Sequence, residues 1–402
     1  MMEQWGLQLL NGIGRMFLNP LLYWIILLLI ISGTKRIYKE RTNFGVKIFD
    51  YFNETKQTFL FALVAGVMIS IAALLFGFVF TSEMLIVIAI VTILLSITGS
   101  FHLLSPAYTL GITFIIFMLL PLFPIESLPV VQSVGELANI QFVTLAVLIG
   151  VLLFVETLLI YRAKENHIYP SLTLSDRGVW LGKQQLKRMS VIPFFLFIPA
   201  GEVTNIGPIL PYFQIGDVSY FITLIPLIIG TQITGRSEQM MSRKNGIAKE
   251  KLVLSIVVLL IAIASYFYFM LSFIAIVVAI VGTEWITYRN RTYNRYAAPL
   301  FAPLNDGIKV LARLPGSRAE DLGILPGEII SKVNGMNVTN SEQFYKALQH
   351  SGAFFKLDVL DSNGEVRFIQ SAFYATDHHN LGLIFPEAPY DERHLERLEQ
   401  LN

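Results

Sequence analysis

Cysteine is absent from the 402 residues. Disulfides, thiolate nucleophiles, iron–sulfur clusters and cysteine-bound zinc are therefore excluded. Charge is also scarce: Asp, Glu, Lys and Arg make up 15% of the chain, against about a quarter in an ordinary soluble protein. That shortfall argues against a soluble enzyme, and the apolar content argues against disorder. The formal net charge is only +1, so the chain lacks the basic footprint of a nucleic-acid binder and no nucleic-acid partner is expected. Catalytic signatures are missing as well. There is no His-Glu-x-x-His, no Gly-x-Ser-x-Gly and no Gly-x-x-x-x-Gly-Lys-Ser/Thr, the patterns that place a metal, a nucleophile or a phosphate cradle. The histidines are His102, His167, His350, His378, His379 and His394. His378 and His379 are adjacent and cannot share a helix face, so they read as a surface turn. Ser100 and His102 are two apart on one chain and cannot meet as a nucleophile and base from facing spans. No enzyme activity, metal or cofactor is expected.

Apolar runs are what the chain has in excess: 54% of its residues are hydrophobic, and the runs stop near residue 288. A membrane-crossing helix needs ~20 apolar residues for a ~30 Å hydrocarbon core. The expected spans are 17–34, 59–80, 84–104, 106–124, 141–161, 191–212, 218–235, 252–268 and 271–288. Nine spans is one parse of this polytopic α-helical bundle and eight another. No small-residue cleavage site follows the first run, which reads as an anchor and not a removable signal. Lys and Arg crowd the segments 35–58, 162–190 and 236–251 and recur at Arg289, Arg291 and Arg295, whereas 81–83, 125–140 and 213–217 hold none. With nine spans every basic segment falls on one side, which the positive-inside rule makes cytoplasmic. The domain plan is a transmembrane region 1–288, a basic linker 289–297, a small domain 298–386 and a charged tail 387–402. In the tail, Leu395, Leu398 and Leu401 stand among charges as a short helix or a solvated end.

Ala62, Gly66 and Ser70 repeat at four-residue spacing, continued by Ala73 and Gly77. Such a stripe lets two backbones approach closely, either within the bundle or at a homodimer seam. Three acids fall within apolar runs, where an ionisable group is costly. Glu156 and Glu284 lie near the cytoplasmic ends of their runs, within reach of Arg162 and Arg289. Glu202 lies mid-segment beside Asn205, among Pro193, Pro199, Pro208 and Pro211. A proline-broken helix carrying an acid suits a transport site, but no second acid or inverted repeat accompanies it.

The small domain has the most specific pattern. Alternation over Ile308–Arg313 predicts a strand. Pro315-Gly316-Ser317 is a turn, and Ser317 with Glu320 forms an expected capping box. Gly323 stops that helix, Pro326-Gly327 leads into a strand over Glu328–Val333, and Asn334-Gly335 is a hairpin turn. A helix is expected over 341–350 with Phe344, Tyr345 and Leu348 inward, then strands Phe355–Leu360, Glu365–Ser371 and Leu381–Phe385. The expected fold is a small α+β, partly open β-barrel with two helices.

Pro315-Gly316-Ser317-Arg318-Ala319, Gly323-Ile324, Pro326-Gly327-Glu328-Ile329-Ile330 and Val333-Asn334-Gly335 resemble the bacterial PDZ signature, with Glu328 where the pattern has Asp. The resemblance implies an extended peptide added as a strand between a β-edge and a helix. The groove strand and carboxylate loop would be Leu381, Gly382, Leu383, Ile384 and Phe385, facing Phe344, Ala347 and Leu348. Pro299-Leu300-Phe301 competes for that place, although proline removes a donor. The groove could also be purely structural. The whole layout, with Gln4-Trp5-Gly6 at its start and His378-His379-Asn380-Leu381-Gly382 near its end, resembles the MinJ family of cell-division topological determinants of Gram-positive rods. That resemblance implies a non-enzymatic membrane scaffold at septa and poles. It would join a DivIVA-like polar protein to a MinD-like inhibitor of FtsZ-dependent septation, with other divisome membrane proteins and self-association as further contacts. The rival classes are a membrane protease with a substrate-reading PDZ domain and a transporter that one regulates.

Overall fold

The computed structural model describes residues 2–122, 139–199, 213–215, 218–350, 354–361, 363–372 and 381–392. Helix α1 (Met2–Met16) is followed by α2 (Pro20–Phe44), the short α3 (Asn53–Lys56), α4 (Phe59–Leu75), α5 (Ser82–Ile97), α6 (Pro106–Leu119) and α7 (Asn139–Tyr161). Local chemistry sets several of these ends. The Leu21 N–H donates to the Asn19 side chain at 2.9 Å, with Pro20 at the first helical position. The Met84 N–H donates to Thr81 Oγ1. Both satisfy donors that a helix start leaves orphaned. Pro20–Phe44, Asn139–Tyr161 and Met270–Tyr296 are long and apolar enough to cross a membrane, while Phe59–Leu75, Ser82–Ile97 and Pro106–Leu119 are apolar but shorter.

The expected spans 191–212 and 218–235 are corrected. After β1 (Ile168–Leu174), the chain forms a long antiparallel hairpin of β2 (Trp180–Pro199) and β4 (Val218–Gly235), with β3 (Phe213–Ile215) on the outer side of β4. Its register runs from Gln184↔Gly235 to Pro199↔Tyr220. Apolar content alone does not separate a strand from a helix. Pro193, Pro199 and Pro226 would each remove a helical hydrogen bond and clash with the preceding turn. The β-branched run Ile225, Ile228, Ile229, Thr231 and Ile233 also suits a pleated surface better. Glu202, Asn205, Pro208 and Pro211 lie outside the described residues.

A hairpin among apolar helices exposes two rows of backbone donors and acceptors, which hydrocarbon cannot satisfy. Neighbouring segments engage several of them. The Phe195 N–H donates to Ser70 Oγ at 2.9 Å, and Thr58 Oγ1 donates to the Met189 carbonyl at 3.2 Å. Phe197 exchanges hydrogen bonds with Phe78 and Phe80, both at 3.0 Å. Pro193 and Pro199 fall in the same outward register as Phe195 and Phe197, so proline stands where an N–H would lack a partner. On the opposite edge, Arg15 donates to the Ile222 carbonyl at 2.9 Å. The small-residue stripe of α4 therefore packs on β2 within the chain. A Cβ on Gly66 would lie 2.0 Å from the Pro193 carbonyl oxygen. Gly77 lies past the helix end with φ +68°.

Helices α8 (Met240–Ala264) and α9 (Met270–Tyr296) complete the bundle. The segment 289–297, expected as a linker, is helical through Tyr296. The C-terminal module then contains β5 (Ile308–Lys309), β6 (Ala312–Arg313), α10 (Arg318–Asp321), β7 (Ile329–Val333), β8 (Met336–Asn337), α11 (Ser341–Gln349), β9 (Phe354–Leu360), β10 (Val366–Ala372) and β11 (Leu383–Ile384). One sheet has the order β10-β9-β7-β5 with β8 on β7, and β6 pairs with β11 separately. Phe344, Ala347 and Leu348 of α11 are buried against Val333, Phe355, Leu357 and Phe385, whereas Tyr345 is only partly buried.

Gly66→Leu should separate α4 from β2 and lower stability by at least about 1–3 kcal/mol, the usual cost of overpacking. Ser70→Ala should cost about 1–3 kcal/mol by stranding the Phe195 N–H. Gly246 faces open space in α8, so Gly246→Ala should be neutral or stabilise by up to about 1 kcal/mol. Thermal unfolding of the full chain in detergent checks all three.

Candidate functional site

The residues matching the PDZ signature converge on one end of the module. Ala319 is fully buried, and its N–H donates to the Leu381 carbonyl at 2.9 Å. The Gly327 N–H donates to the Val310 carbonyl, with φ +97° at the turn before β7. Glu328 accepts from the Leu325 N–H at 2.8 Å and pairs with Arg367 at 2.9 Å. Ile329 lies opposite Lys309. Asn334 and Gly335 are both left-handed, and the Asn334 side chain accepts from the Lys356 N–H at 2.8 Å. Pro315 lines a small cavity against the rest of the chain, and Gly323 has φ +66° where α10 ends. The expected capping box at Ser317 is corrected: its side chain makes no cap hydrogen bond. Glu320 instead accepts from the Gly316 N–H at 2.6 Å, one residue earlier than the N-cap N–H that a capping box uses.

The expected groove residues do come together. Leu381, Leu383 and Phe385 share one core with Phe344, Ala347 and Leu348, and the Phe344 and Phe385 rings meet edge to face with centroids 5.4 Å apart. These side chains are core, with Leu383 and Phe385 only 5% and 6% exposed. Gly382 is required: its φ is +82°, and a Cβ there would lie 2.3 Å from that of Ser317. The Leu381, Gly382 and Ile384 carbonyls accept from Ala319, Leu314 and Leu311, so one edge of β11 is already used. A cavity of about 430 Å³ opens at the N-terminus of α11, beside Trp180, Gly307, Asn340 and Pro386. There Glu387 accepts from both the N–H and the hydroxyl of Ser341.

Ile384 points the other way from Leu383, as strand alternation requires. It joins Leu311, Ala312, Leu314 and Phe301 against Ile48, Phe49, Tyr169 and Leu172. This docking face was not foreseen from the sequence. Polar contacts frame it. The Gly182 N–H donates to the Phe301 carbonyl at 2.9 Å, the Leu300 N–H to the Arg236 carbonyl at 2.8 Å, and Gln184 to the Leu311 carbonyl at 3.1 Å. Arg313 pairs with Glu165 at 2.9 Å. The competing segment Pro299-Leu300-Phe301 is thus engaged against β2.

A buried charge network supports the docked face. Arg36 pairs with Glu40 at 2.8 Å and with Glu54 at 3.4 Å. Glu40 also accepts from the Ile48 N–H at 2.8 Å, and Ser32 donates to Glu54 at 2.8 Å. Burial raises the Glu54 pKa, against the opposing pull of the Ser32 hydrogen bond and Arg36. The Arg36-x-x-x-Glu40 spacing was a legible helical pair; the approach of Glu54 was not. The acids in the apolar runs have different partners from those expected. Glu156 is bound by Ser105 and Lys251 and not by Arg162, and Glu284 accepts from Tyr108 at 2.6 Å while Arg289 pairs with Glu250. Among the described residues no three His, Asp or Glu side chains are grouped to hold a metal. His378, His379 and His394 lie outside them.

An apolar helical bundle with three helices long and apolar enough to cross a membrane, an internal hairpin and a docked α+β module is the architecture of a membrane protein with a small appended domain. No family model matches the chain. It is 30% identical to the cell division topological determinant MinJ of Bacillus subtilis (strain 168) over 387 residues, 96% of each chain. It is 22% identical to the probable cell division topological determinant MinJ of Lacticaseibacillus paracasei over 384 residues, 92% of this chain and 98% of that one. The chain belongs to the MinJ family of cell division topological determinants.

Arg36→Gln should strand two buried carboxylates and cost about 3–5 kcal/mol, the usual penalty for breaking a buried pair from one side. The triple variant Arg36→Gln, Glu40→Gln, Glu54→Gln should recover part of that loss in thermal unfolding.

His167 predicts a pH effect. Its Nδ1 accepts from the Lys164 N–H at 2.8 Å. Burial, and then the charges of Arg188, Lys164 and Lys244, depress its pKa to about 4. The unfolded imidazole, titrating near 6.5, binds the proton more readily. Its contribution to stability is therefore complete above about pH 6.5 and lost as pH falls toward 4. His167→Asn should flatten the fall in unfolding midpoint between pH 7 and 5.

Proposed function

We propose that the chain is a non-enzymatic membrane scaffold that helps to position the division site, its C-terminal module acting as a PDZ-type interaction domain on the cytoplasmic side. The observation that carries this reading is the 30% identity to a division topological determinant over 96% of both chains. By analogy with the family, the scaffold joins a DivIVA-like polar protein to a MinD-like inhibitor and so restricts FtsZ-dependent septation to midcell. Other divisome membrane proteins and a second copy of the chain are further contacts. The sidedness rests on the basic segments 35–58, 162–190 and 236–251 and the positive-inside rule. Exchanging two expected helices for one hairpin leaves that argument intact, because the hairpin returns to the side it left.

Leu381–Phe385 and Phe344, Ala347 and Leu348 remain the proposed groove, with the cavity beside Asn340 and Pro386 as its open end. Peptide addition along β11 would use the strand edge away from Leu311–Leu314. The transport reading gains no support from Glu156 and Glu284, whose charges are held by Ser105, Lys251 and Tyr108.

A fluorescent protein fused after Asn402 in a rod-shaped Gram-positive cell should give septal and polar foci. Loss of the gene should yield filaments or minicells. Deleting 298–402 should abolish the foci and leave membrane insertion intact. A uniform membrane signal with normal division would reject the scaffold and favour a transporter.

A further inference from the structure

The cleft between α2, α5 and the start of β2 has two halves of opposite character. Its floor is apolar, formed by Trp24, Leu28, Ile31, Ile97 and Phe101, and its rim carries Lys35, Lys39 and Lys187. The enclosed volume is about 340 Å³. Trp24 closes the floor by donating to Ser96 Oγ at 2.8 Å. Ile31 and Ile97 line the cleft and are exposed on the bundle surface, continuous with exposed Leu27 and Leu94. The change from apolar to basic along α2 occurs within one turn, between Ile31 and Lys35. This is the level at which a bilayer passes from acyl chain to headgroup.

The carboxylates on the cleft wall are already engaged. Glu40 and Glu54 are held by Arg36, Ser32 and the Ile48 and Phe49 N–H groups. Among the described residues, Lys35, Lys39 and Lys187 have no ion pair or hydrogen bond to an anion. Lys187 is half-buried and sits 5.6 Å from the centre of the Phe101 ring. Burial lowers the Lys187 pKa, Glu54 opposes that shift, and Lys39 and Arg36 add to the positive field there. Lys35 and Lys39 are exposed and Lys187 is half-buried; the buried carboxylate of Glu54 offsets part of the charge at Lys187, and an anion at the rim would balance the remainder.

We propose that this cleft binds the phosphate headgroup of an anionic phospholipid of the cytoplasmic leaflet. Lys35, Lys39 and Lys187 hold the phosphate, and one acyl chain descends past Ile31 and Ile97. A basic pocket between membrane helices on the cytoplasmic side has the chemistry for such a headgroup. The apolar floor opening to the bilayer favours a lipid over a soluble phosphate. The inference rests on the membrane reading and the sidedness, and is independent of which division protein the chain engages.

The test is native mass spectrometry of the detergent-purified full chain, titrated in turn with phosphatidylglycerol, phosphatidylcholine and inorganic phosphate. The wild type should retain phosphatidylglycerol at least tenfold more tightly than phosphatidylcholine. The variant Lys35→Gln, Lys39→Gln, Lys187→Gln should lose that preference. The charge-matched variant Lys249→Gln, Lys332→Gln, Lys346→Gln should keep it. Equal retention of the two lipids by the wild type, or equal loss in both variants, would overturn the site. Displacement of the lipid by millimolar inorganic phosphate would reassign it to a soluble anion. Should the cleft variant fail to fold, the wild-type selectivity decides alone. Septal localisation can fail without affecting this result, and the reverse also holds.

Discussion

Backbone hydrogen bonding along the β2–β4 hairpin is the constraint on which the rest of the structure depends. A helix satisfies its own backbone, but a two-stranded ribbon satisfies only its inner edge. Inside an apolar bundle the outer edges need partners from other elements. Ser70, Thr58 and the 78–80 segment serve β2, and Arg15 serves β4. Those demands explain the small face of α4, the close approach of Gly12 to Ile222 and the placement of proline in the outward register. Side chains elsewhere in the bundle can exchange for others of similar volume at modest cost. These contacts cannot, because each loss leaves a buried polar group without water.

The same strand links the two parts of the molecule. β2 begins at Trp180 beside the C-terminal module and runs to Pro199 at the far end of the hairpin. Gly182 bridges to Phe301 near one end, and Phe197 bridges to Val79 near the other. The module is therefore seated on an extension of the element that organises the bundle. Two consecutive residues of β11 divide the labour: Leu383 turns into the module's own core and Ile384 into the docking cluster. A partner that adds a strand at β11 would act on a segment already coupled to the bundle.

Legibility in the sequence followed the density of local signals. Most of the module's strands and helices lie within a residue or two of expectation because Gly and Asn at positive φ fix its turns, as at Asn334-Gly335 and Gly327, but the single strand expected over Ile308–Arg313 is two short strands, β5 and β6, in different sheets. Seven of the apolar runs are helical, but their limits differ from expectation: α2 continues to Phe44, α5 ends at Ile97, and α8 begins at Met240. The runs at 191–199 and 218–235 were misassigned because a hydropathy pattern records burial and not backbone geometry. Pro193, Pro199 and Pro226 were the available warning, together with the β-branched residues of 222–233. The docking cluster was not legible. Ile48, Tyr169, Phe301 and Ile384 are far apart in sequence, and none belongs to a pattern that marks it as an interface. The site residues were partly legible: Leu383 and Phe385 were matched with Phe344, but their deep burial depends on tertiary packing.

Basic residues near the ends of apolar segments are usually read only as topology signals. Here they divide by what surrounds them. Arg36 is enclosed by two carboxylates and acts as a structural cross-link. Arg313 reaches Glu165 across the docking face. Lys251 reaches into the bundle to Glu156. Arg suits the first two places because its planar fork can engage several oxygens at once. The lysines around Lys187 differ in kind: they are single point charges on flexible stems, and the nearby Glu54, held by Arg36 and Ser32, offsets them only in part. Sidedness alone would be served as well by lysines dispersed into solvent. Their convergence on one cleft, over an apolar floor, requires an explanation beyond topology, and an anion anchored in the bilayer supplies one.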